Sequence, residues 1–372
     1  MTKITVSAVT LMGMKHKGRG IPCEDSSIAV QRDGVSCVVV ADGAGSKQYT
    51  HARYGSKSVC DTVSELLINY FDALYYENRE AAVRSVIIAA IHIGFANIMD
   101  KLKLDTLERL SCTLLFCAVK DRRVLIGHLG DGLIAGVSPN GIRPVTMPQN
   151  EKDGSTYFVT APHAGDYLRL VKTTIDDFHG IALMTDGVQD SVYDESSGLV
   201  KPVVARMVET CAHGREQSEQ EITQILSQYV VGASNNSDDA SFGIVYFDGT
   251  KAPDSNKLSK SADKFGKCED SFKELQASMA PEYKKAKSLI DACASNPAPK
   301  GTPVEEEHLG RSSGDARAVP VKKTEKEEAA RETEMKIDTN PPKRHSWLLK
   351  AVALVELIAI IILLIKIFVL RG

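Results

Sequence analysis

The sequence predicts an α+β fold: a four-layer α-β-β-α sandwich of two antiparallel sheets flanked by helices. Three observations predict it. Helical patterns come in pairs instead of alternating with strands, which argues against a doubly wound parallel sheet. Short apolar, β-branched runs bounded by Gly, Asp and Asn recur along the first 250 residues, as strands of antiparallel sheets do. One of them, Val38-Val39-Val40-Ala41, is unbroken and reads as a central strand buried on both faces.

The elements follow in order. Residues 4–12, 27–31 and 35–41 read as strands, with a polar loop from Lys15 to Ser26 between the first two. Val59, Val63, Leu66, Leu67 and Tyr70 share one helical face, and Val83, Ile87, Ala90, Ile91, Gly94 and Ile98 share another. Strands follow at 112–119, 123–129 and 133–137, with Asp121-Arg122 as a tight hairpin between the first two. Weaker strands are expected near 142–146, 156–160 and 170–175, and a short one at 181–184. Two helices near 200–212 and 217–230 precede a last strand at 240–247.

The chain has 372 residues, 43% hydrophobic and 25% charged, with a formal net charge of -3. No basic field draws it to nucleic acid, and basic residues are not interleaved with aromatics. The eight cysteines form no Cys-x-x-Cys pair and several lie in apolar runs, the usage of buried thiols in a reducing compartment. The first residues lack the apolar core of a secretory signal.

Composition divides the chain into 1–250, a globular domain; 251–346, a polar linker with helical potential near 263–293; and 347–372, a membrane anchor. Ala351–Leu370 is almost wholly apolar and long enough to span a bilayer as one transmembrane helix, interrupted by Glu356 and Lys366. Lys343, Arg344, His345 and Lys350 before it outnumber Arg371 after it, so the positive-inside rule places the N-terminal domain in the cytoplasm. The expectation is a single-pass, tail-anchored protein.

Acidic residues mark the strand ends. Asp25 follows Glu24 before a strand, Asp42 and Asp186 end apolar runs and precede glycine, Asp131 lies between two glycines, and Asp238 precedes the last strand. Each alone reads as a turn or capping residue. Gathered at one sheet edge they would repel and need cations, and with no His or Cys among them the set favours Mg²⁺ or Mn²⁺ over zinc. Two such ions about 4 Å apart hold and acidify a bridging water that attacks phosphorus in line, so no protein nucleophile is needed. Accordingly, no Gly-x-Ser-x-Gly elbow is present.

The ordered set Glu24-Asp25, Asp42-Gly43-Ala44-Gly45, Ser111-Cys112-Thr113, Gly130-Asp131-Gly132, Thr185-Asp186-Gly187 and Asp238-Asp239 resembles the type 2C metal-dependent serine/threonine protein phosphatases, in a bacterial-like form, over residues 1–248. The resemblance implies the α-β-β-α sandwich and a binuclear Mg²⁺/Mn²⁺ centre. It implies that Asp42 bridges the metals, that the Gly43 carbonyl ligates one and Asp186 and Asp238 the other, with Asp239 in place of Asp238 if the pairing shifts by one residue, and that Asp25 holds metal-bound water. Asp131 and Asp186 match the position of a third, weaker ion in some members, and Thr113 a structural position. Asp42, Asp25 and Asp186 are thus the expected catalytic set.

Two departures stand out. Many members carry a His, a proposed general acid, where this chain has Ala44, which has no proton to give. The family's phosphate-binding Arg has no counterpart at the usual offset; Arg19, His16 and Lys15 compete for the role. The expected activity is hydrolysis of phosphoserine and phosphothreonine in proteins, with a membrane-associated serine/threonine kinase or its targets as partners. The alternative is a membrane-tethered pseudophosphatase that binds phosphoproteins without turnover.

Overall fold

The computed structural model describes residues 2–150, 155–195, 197–235, 237–254 and 258. The expectations for the rest of the linker and for the anchor at 347–372 lie outside the described residues.

In chain order the elements are β1 (Ile4–Leu11), α1 (Met14–Arg19), β2 (Ser26–Arg32), β3 (Val35–Ala41), α2 (Ala52–Tyr76), α3 (Glu80–Leu102), β4 (Leu114–Lys120), β5 (Arg123–Leu129), β6 (Leu133–Ser138) and β7 (Gly141–Thr146). They continue with α4 (Ala164–Tyr167), β8 (Arg169–Thr174), β9 (Gly180–Met184), α5 (Asp186–Val192), β10 (Tyr193–Asp194), β11 (Leu199–Val200), α6 (Val203–Glu209), α7 (Arg215–Tyr229) and β12 (Ala240–Phe247). Two five-stranded antiparallel sheets result, ordered β1-β12-β9-β6-β7 and β2-β3-β4-β5-β8, beside the small β10-β11 ribbon.

Three apolar layers hold these elements. Val38, Val40, Leu115 and Cys117 of one sheet meet Val245, Phe247, Ile181 and Leu183 of the other between the sheets. Val39, Ala41 and Phe116 face Val59, Val63 and Leu67 of α2, with Val83, Ile87 and Ile91 of α3 in the same layer. Phe242 and Ile244 face Val204, Val208, Ile222 and Leu226 of α6 and α7. β3 is buried at all seven positions because it has a partner layer on each face. This is the expected α-β-β-α sandwich. Each full burial of a Val, Leu or Phe contributes about 1.5–3 kcal/mol.

Three local expectations are corrected. Residues 156–160 form no strand; only a Thr156–Asn150 bridge and a turn stand there. The polar loop after β1 opens with helix α1, and Asp186 begins helix α5. Among the described residues, one helix, Glu80–Leu102, is long and apolar enough to cross a membrane by length and composition. Its Val83, Ile87, Ile91 and Phe95 are buried within the domain. The five described buried cysteines and half-buried Cys23 are free thiols.

Candidate metal centre

Strand ends from both sheets deliver the acidic residues. Ser26 of β2 pairs with Ala41 of β3, so Asp25 and Asp42 stand side by side just beyond that pair. The backbone of Asp42 is clamped twice: its N–H donates to the buried Thr113 hydroxyl (3.0 Å), and its carbonyl accepts from Thr113 N–H (2.9 Å). Ala44 N–H donates to the Ser111 carbonyl, and Gly43 bridges Cys112, which fixes the turn. From the other sheet, β9 ends at Met184 and Thr185 follows. The Thr185 hydroxyl donates to Asp25 Oδ2 (2.9 Å) and accepts from Ser241 N–H (2.9 Å). Asp186 heads α5, its Oδ1 accepting from Gly187 N–H (2.7 Å).

Close backbone approach is a condition of this convergence. A Cβ on Gly43 would lie 2.3 Å from the Glu24 carbonyl oxygen, and one on Gly187 would lie 1.9 Å from that of Asp239. Only glycine permits the metal-side turns to touch at these two points.

The electrostatics are those of an acidic cluster. Burial, Asp186, Asp25 and Asp131 together hold the Asp42 carboxyl well above the usual range. Burial raises Asp25 to about 8, against the bonds it receives, with Asp186 and Asp239 adding to the rise. Burial and Asp131 raise Asp186 to about 7. Burial also raises Asp131 and Asp190, the latter further lifted by Asp131. Asp131 accepts from the Thr156 hydroxyl at Oδ2, while its buried Oδ1 has no hydrogen-bond partner.

Asp25, Asp42, Asp131 and Asp186 are near enough to raise one another's carboxyls. Asp238 is near enough to raise Asp186, but its side chain is 42% exposed and ion-paired to Lys15 Nζ at 2.6 Å. The adjacent Asp239 is almost fully buried and accepts from Gly13 N–H (2.8 Å), Glu24 N–H (2.7 Å) and His16 Nδ1–H (2.7 Å). It ties α1 and the Glu24-Asp25 turn to the start of β12. The sequence offers Asp239 only as the alternative to Asp238 as a ligand and gives no sign of this structural role. Thr185 was equally hidden, since nothing in its neighbourhood signals a cross-sheet hydroxyl.

The phosphate-binding candidates separate. Arg19 ends α1 exposed to solvent. His16 is buried, committed to Asp239 through Nδ1, with Nε2 facing Glu24 Oε2 (3.7 Å) and Asp238 Oδ1 (3.9 Å). Its ring is therefore held among carboxylates and is no free basic loop residue.

The residues fit a hard divalent cation. Mutually repelling buried carboxyls and the orphaned Asp131 Oδ1 are what such an ion relieves. Among the described residues no group of three His, Cys, Asp or Glu side chains forms a finished ligand cage. The carboxyls are instead turned to internal partners: Asp25 to Asp42 and Thr185, Asp238 to Lys15.

Fold and rim together define a class: a two-sheet sandwich with an acidic edge built from both sheets. Residues 12–227, more than half of the chain, match the family described as protein phosphatase 2C, and the chain belongs to that family. No curated protein matches it by sequence. Solved structures similar to it include a bacterial serine phosphatase (16% identity, 67% of this chain and all of that one, TM-score 0.48). The catalytic domain of the serine/threonine phosphatase PstP, in complex with two manganese ions, is 14% identical over 66% of this chain and 99% of that one, with a TM-score of 0.43. RsbX in complex with magnesium is 16% identical over 66% of this chain and all of that one, with a TM-score of 0.39.

Proposed function

We propose that this chain hydrolyses phosphoserine and phosphothreonine in proteins with Mg²⁺ or Mn²⁺ held at the acidic rim. The observation that carries the reading is the buried set Asp25, Asp42, Asp131 and Asp186, four carboxyls brought together from both sheets against their own repulsion. Asp42, the Gly43 carbonyl, Asp186 and Asp238 would hold two ions, with Asp25 orienting water beside them and Asp131 serving a third, weaker ion. When bound, such ions acidify water and neutralise phosphoryl oxygens. The chain's own contribution is positional. Thr113 fixes the Asp42 backbone, Thr185 fixes the Asp25 carboxyl, and Asp239 fixes the turn that carries Glu24. Exposed Arg19, and Lys15 beside Asp238, would supply positive groups for the phosphate, whereas His16 is spent on Asp239. Phosphate release from a phosphothreonine peptide with and without Mn²⁺ tests the reading; no metal-dependent rate, or an unchanged rate in Asp186→Asn, overturns it.

Ala44 favours a second reading, a pseudophosphatase that binds phosphoproteins, because no imidazole stands there to protonate the leaving alkoxide. Tight phosphopeptide binding without turnover would select it.

The apolar stretch 351–370 supports membrane residence with the phosphatase domain in the cytoplasm. Tethering raises the effective concentration of membrane-bound substrates, such as a serine/threonine kinase with its own span or that kinase's targets. Recovery of the full chain in the soluble fraction of lysed cells would overturn the anchor.

A further inference from the structure

At the end of β9 opposite Asp186, His179 lies almost wholly buried. Its backbone N–H donates to the Val137 carbonyl (2.7 Å), and its carbonyl accepts from Phe247 N–H (3.1 Å). Both ring nitrogens have partners as well. Nε2 faces Oε1 of Glu209, at the end of α6, at 2.6 Å, and Nδ1 faces the Thr250 hydroxyl at 2.9 Å. Thr250 stands just past β12, where the chain leaves the sandwich, and Lys251 and Ala252 after it are exposed.

The partners place the hydrogens. A carboxylate only accepts, so Nε2 carries a hydrogen. The Thr250 hydroxyl donates its one hydrogen to the Phe247 carbonyl at 2.6 Å and offers His179 a lone pair, so Nδ1 carries a hydrogen too. The ring that satisfies this arrangement is an imidazolium, a buried charge held by a carboxylate and with each N–H bonded. A neutral ring that keeps its hydrogen at Nε2 sets the Nδ1 lone pair against the Thr250 oxygen. The hydroxyl can then serve the ring only by releasing Phe247.

The other titratable groups around this point are few. Tyr246 of β12 stands edge-on to the ring at 5.1 Å, and burial, Glu209, Asp248 and Cys211 raise its phenol. Burial raises the Cys211 thiol to about 11, so phenol and thiol both stay neutral near pH 7. Asp248 is exposed after β12 with its N–H on the Lys3 carbonyl, and Lys3 and Lys251 are exposed as well. β6 contributes the Val137 carbonyl and no charge.

We propose that His179 is a proton-operated latch: as an imidazolium it ties the exit of the chain at Thr250 to Glu209 of α6, and loss of its Nδ1 proton frees that exit. The device sits a full strand length from the acidic rim and is independent of the metal chemistry.

The test follows the full chain in detergent micelles from pH 5.5 to pH 9.5. Nitrogen-15 shifts of the labelled His179 ring, assigned by their loss in His179→Gln, report each ring proton. Hydrogen-exchange protection of residues 248–250, taken relative to the free-chain rate at each pH, reports the exit. Two ring N–H groups are expected at pH 5.5, with the Nδ1 proton lost as pH rises. Protection should fall about tenfold over the same pH steps, the factor that one hydrogen bond to a charged group carries. Thr250→Val, at a half-buried position outside the core, is expected to show the lower protection at every pH while its ring still titrates. A ring with a single hydrogen at pH 5.5, a ring that keeps both to pH 9.5, or protection that does not follow the ring overturns the latch. Full protection in Thr250→Val overturns it too.

Discussion

Asp25 and Asp42 stand side by side beyond the paired ends of β2 and β3, where Asp25 helps to raise the Asp42 carboxyl, and Thr185 from the opposite sheet donates to Asp25 Oδ2 at 2.9 Å. Two acids so placed hold a proton between them when nothing else neutralises the site. Asp25 at about 8 and Asp186 at about 7 stand above the 3.8 of an ordinary aspartate. The folded state therefore binds protons that the unfolded state has released. Stability is fully present below the ordinary carboxylate range and is lost as pH rises through about 7 to 8. Metal-free protein should melt lower at pH 8.5 than at pH 5.5, and Mn²⁺ should remove most of the difference. A melting temperature flat across this window, measured by calorimetry in chelator, would contradict the cluster.

Asp42→Asn removes the charge that Asp25, Asp131 and Asp186 all oppose. The variant should melt higher than the parent in chelator yet gain less from Mn²⁺. Metal-dependent phosphate release should fall by about a hundredfold or more. Opposite signs for stability and activity would separate a metal ligand from a structural acid.

Asp238 and Asp239 are neighbours with different work. Asp239→Ala leaves His16 and two backbone N–H groups buried without their acceptor, and should cost about 3 kcal/mol or more by denaturant unfolding. Asp238→Asn loses an ion pair with half-exposed Lys15 and should change stability by no more than about 1 kcal/mol. It should instead raise the Mn²⁺ concentration needed for half-maximal binding in calorimetric titration.

That pair shows where sequence reading stops. The positions of Asp42 and Asp186 were legible because unbroken apolar runs end at them, and a strand buried on both faces can expose a carboxylate only at its end. The sandwich was legible from paired helices and short strands. Which of two adjacent acids turns inward depends on the β1–β12 and β12–β9 registers, contacts between residues far apart in sequence. The Thr185 hydroxyl bond to Asp25 crosses from one sheet to the other, and no local pattern encodes it. His16 read as part of a solvated basic loop because helix α1 is short and its buried partner lies more than two hundred residues away.

Gly187→Ala tests the convergence without touching a charge. The added Cβ meets the Asp239 carbonyl 1.9 Å away, so α5 or the start of β12 must move. A loss of about 1–3 kcal/mol is expected from the overpacking. Mn²⁺ affinity should fall as well, because Asp186 and Asp238 ride on the two segments pushed apart. Retained affinity in the folded variant would show that the two acids do not share an ion.

Behind Asp131 stands His128, fully buried on β5. Its Nε2 faces the Gly130 carbonyl at 3.0 Å, and its Nδ1 faces the Thr146 hydroxyl at 2.7 Å. A carbonyl only accepts, so Nε2 carries the hydrogen and Nδ1 accepts from the threonine. The Gly130 carbonyl also accepts from Gln149 N–H, so the ring and the loop after β7 together brace the turn that aims Asp131. Burial, reinforced by Arg169, lowers the imidazole to about 3 from 6.5. A depressed folded value means that stability is present above 6.5 and lost as pH falls toward 3, the opposite limb from the carboxyl cluster. His128→Gln places an amide N–H near the position of Nε2–H and cannot ionise. It should keep Mn²⁺ binding within a few-fold of the parent, by order of magnitude for a retained hydrogen bond, and flatten the acid limb of the stability curve. His128→Ala should weaken Mn²⁺ binding about tenfold by misaiming Asp131. Equal metal affinity in the Ala variant would reduce His128 to packing, and a full acid limb in the Gln variant would show that another group titrates there.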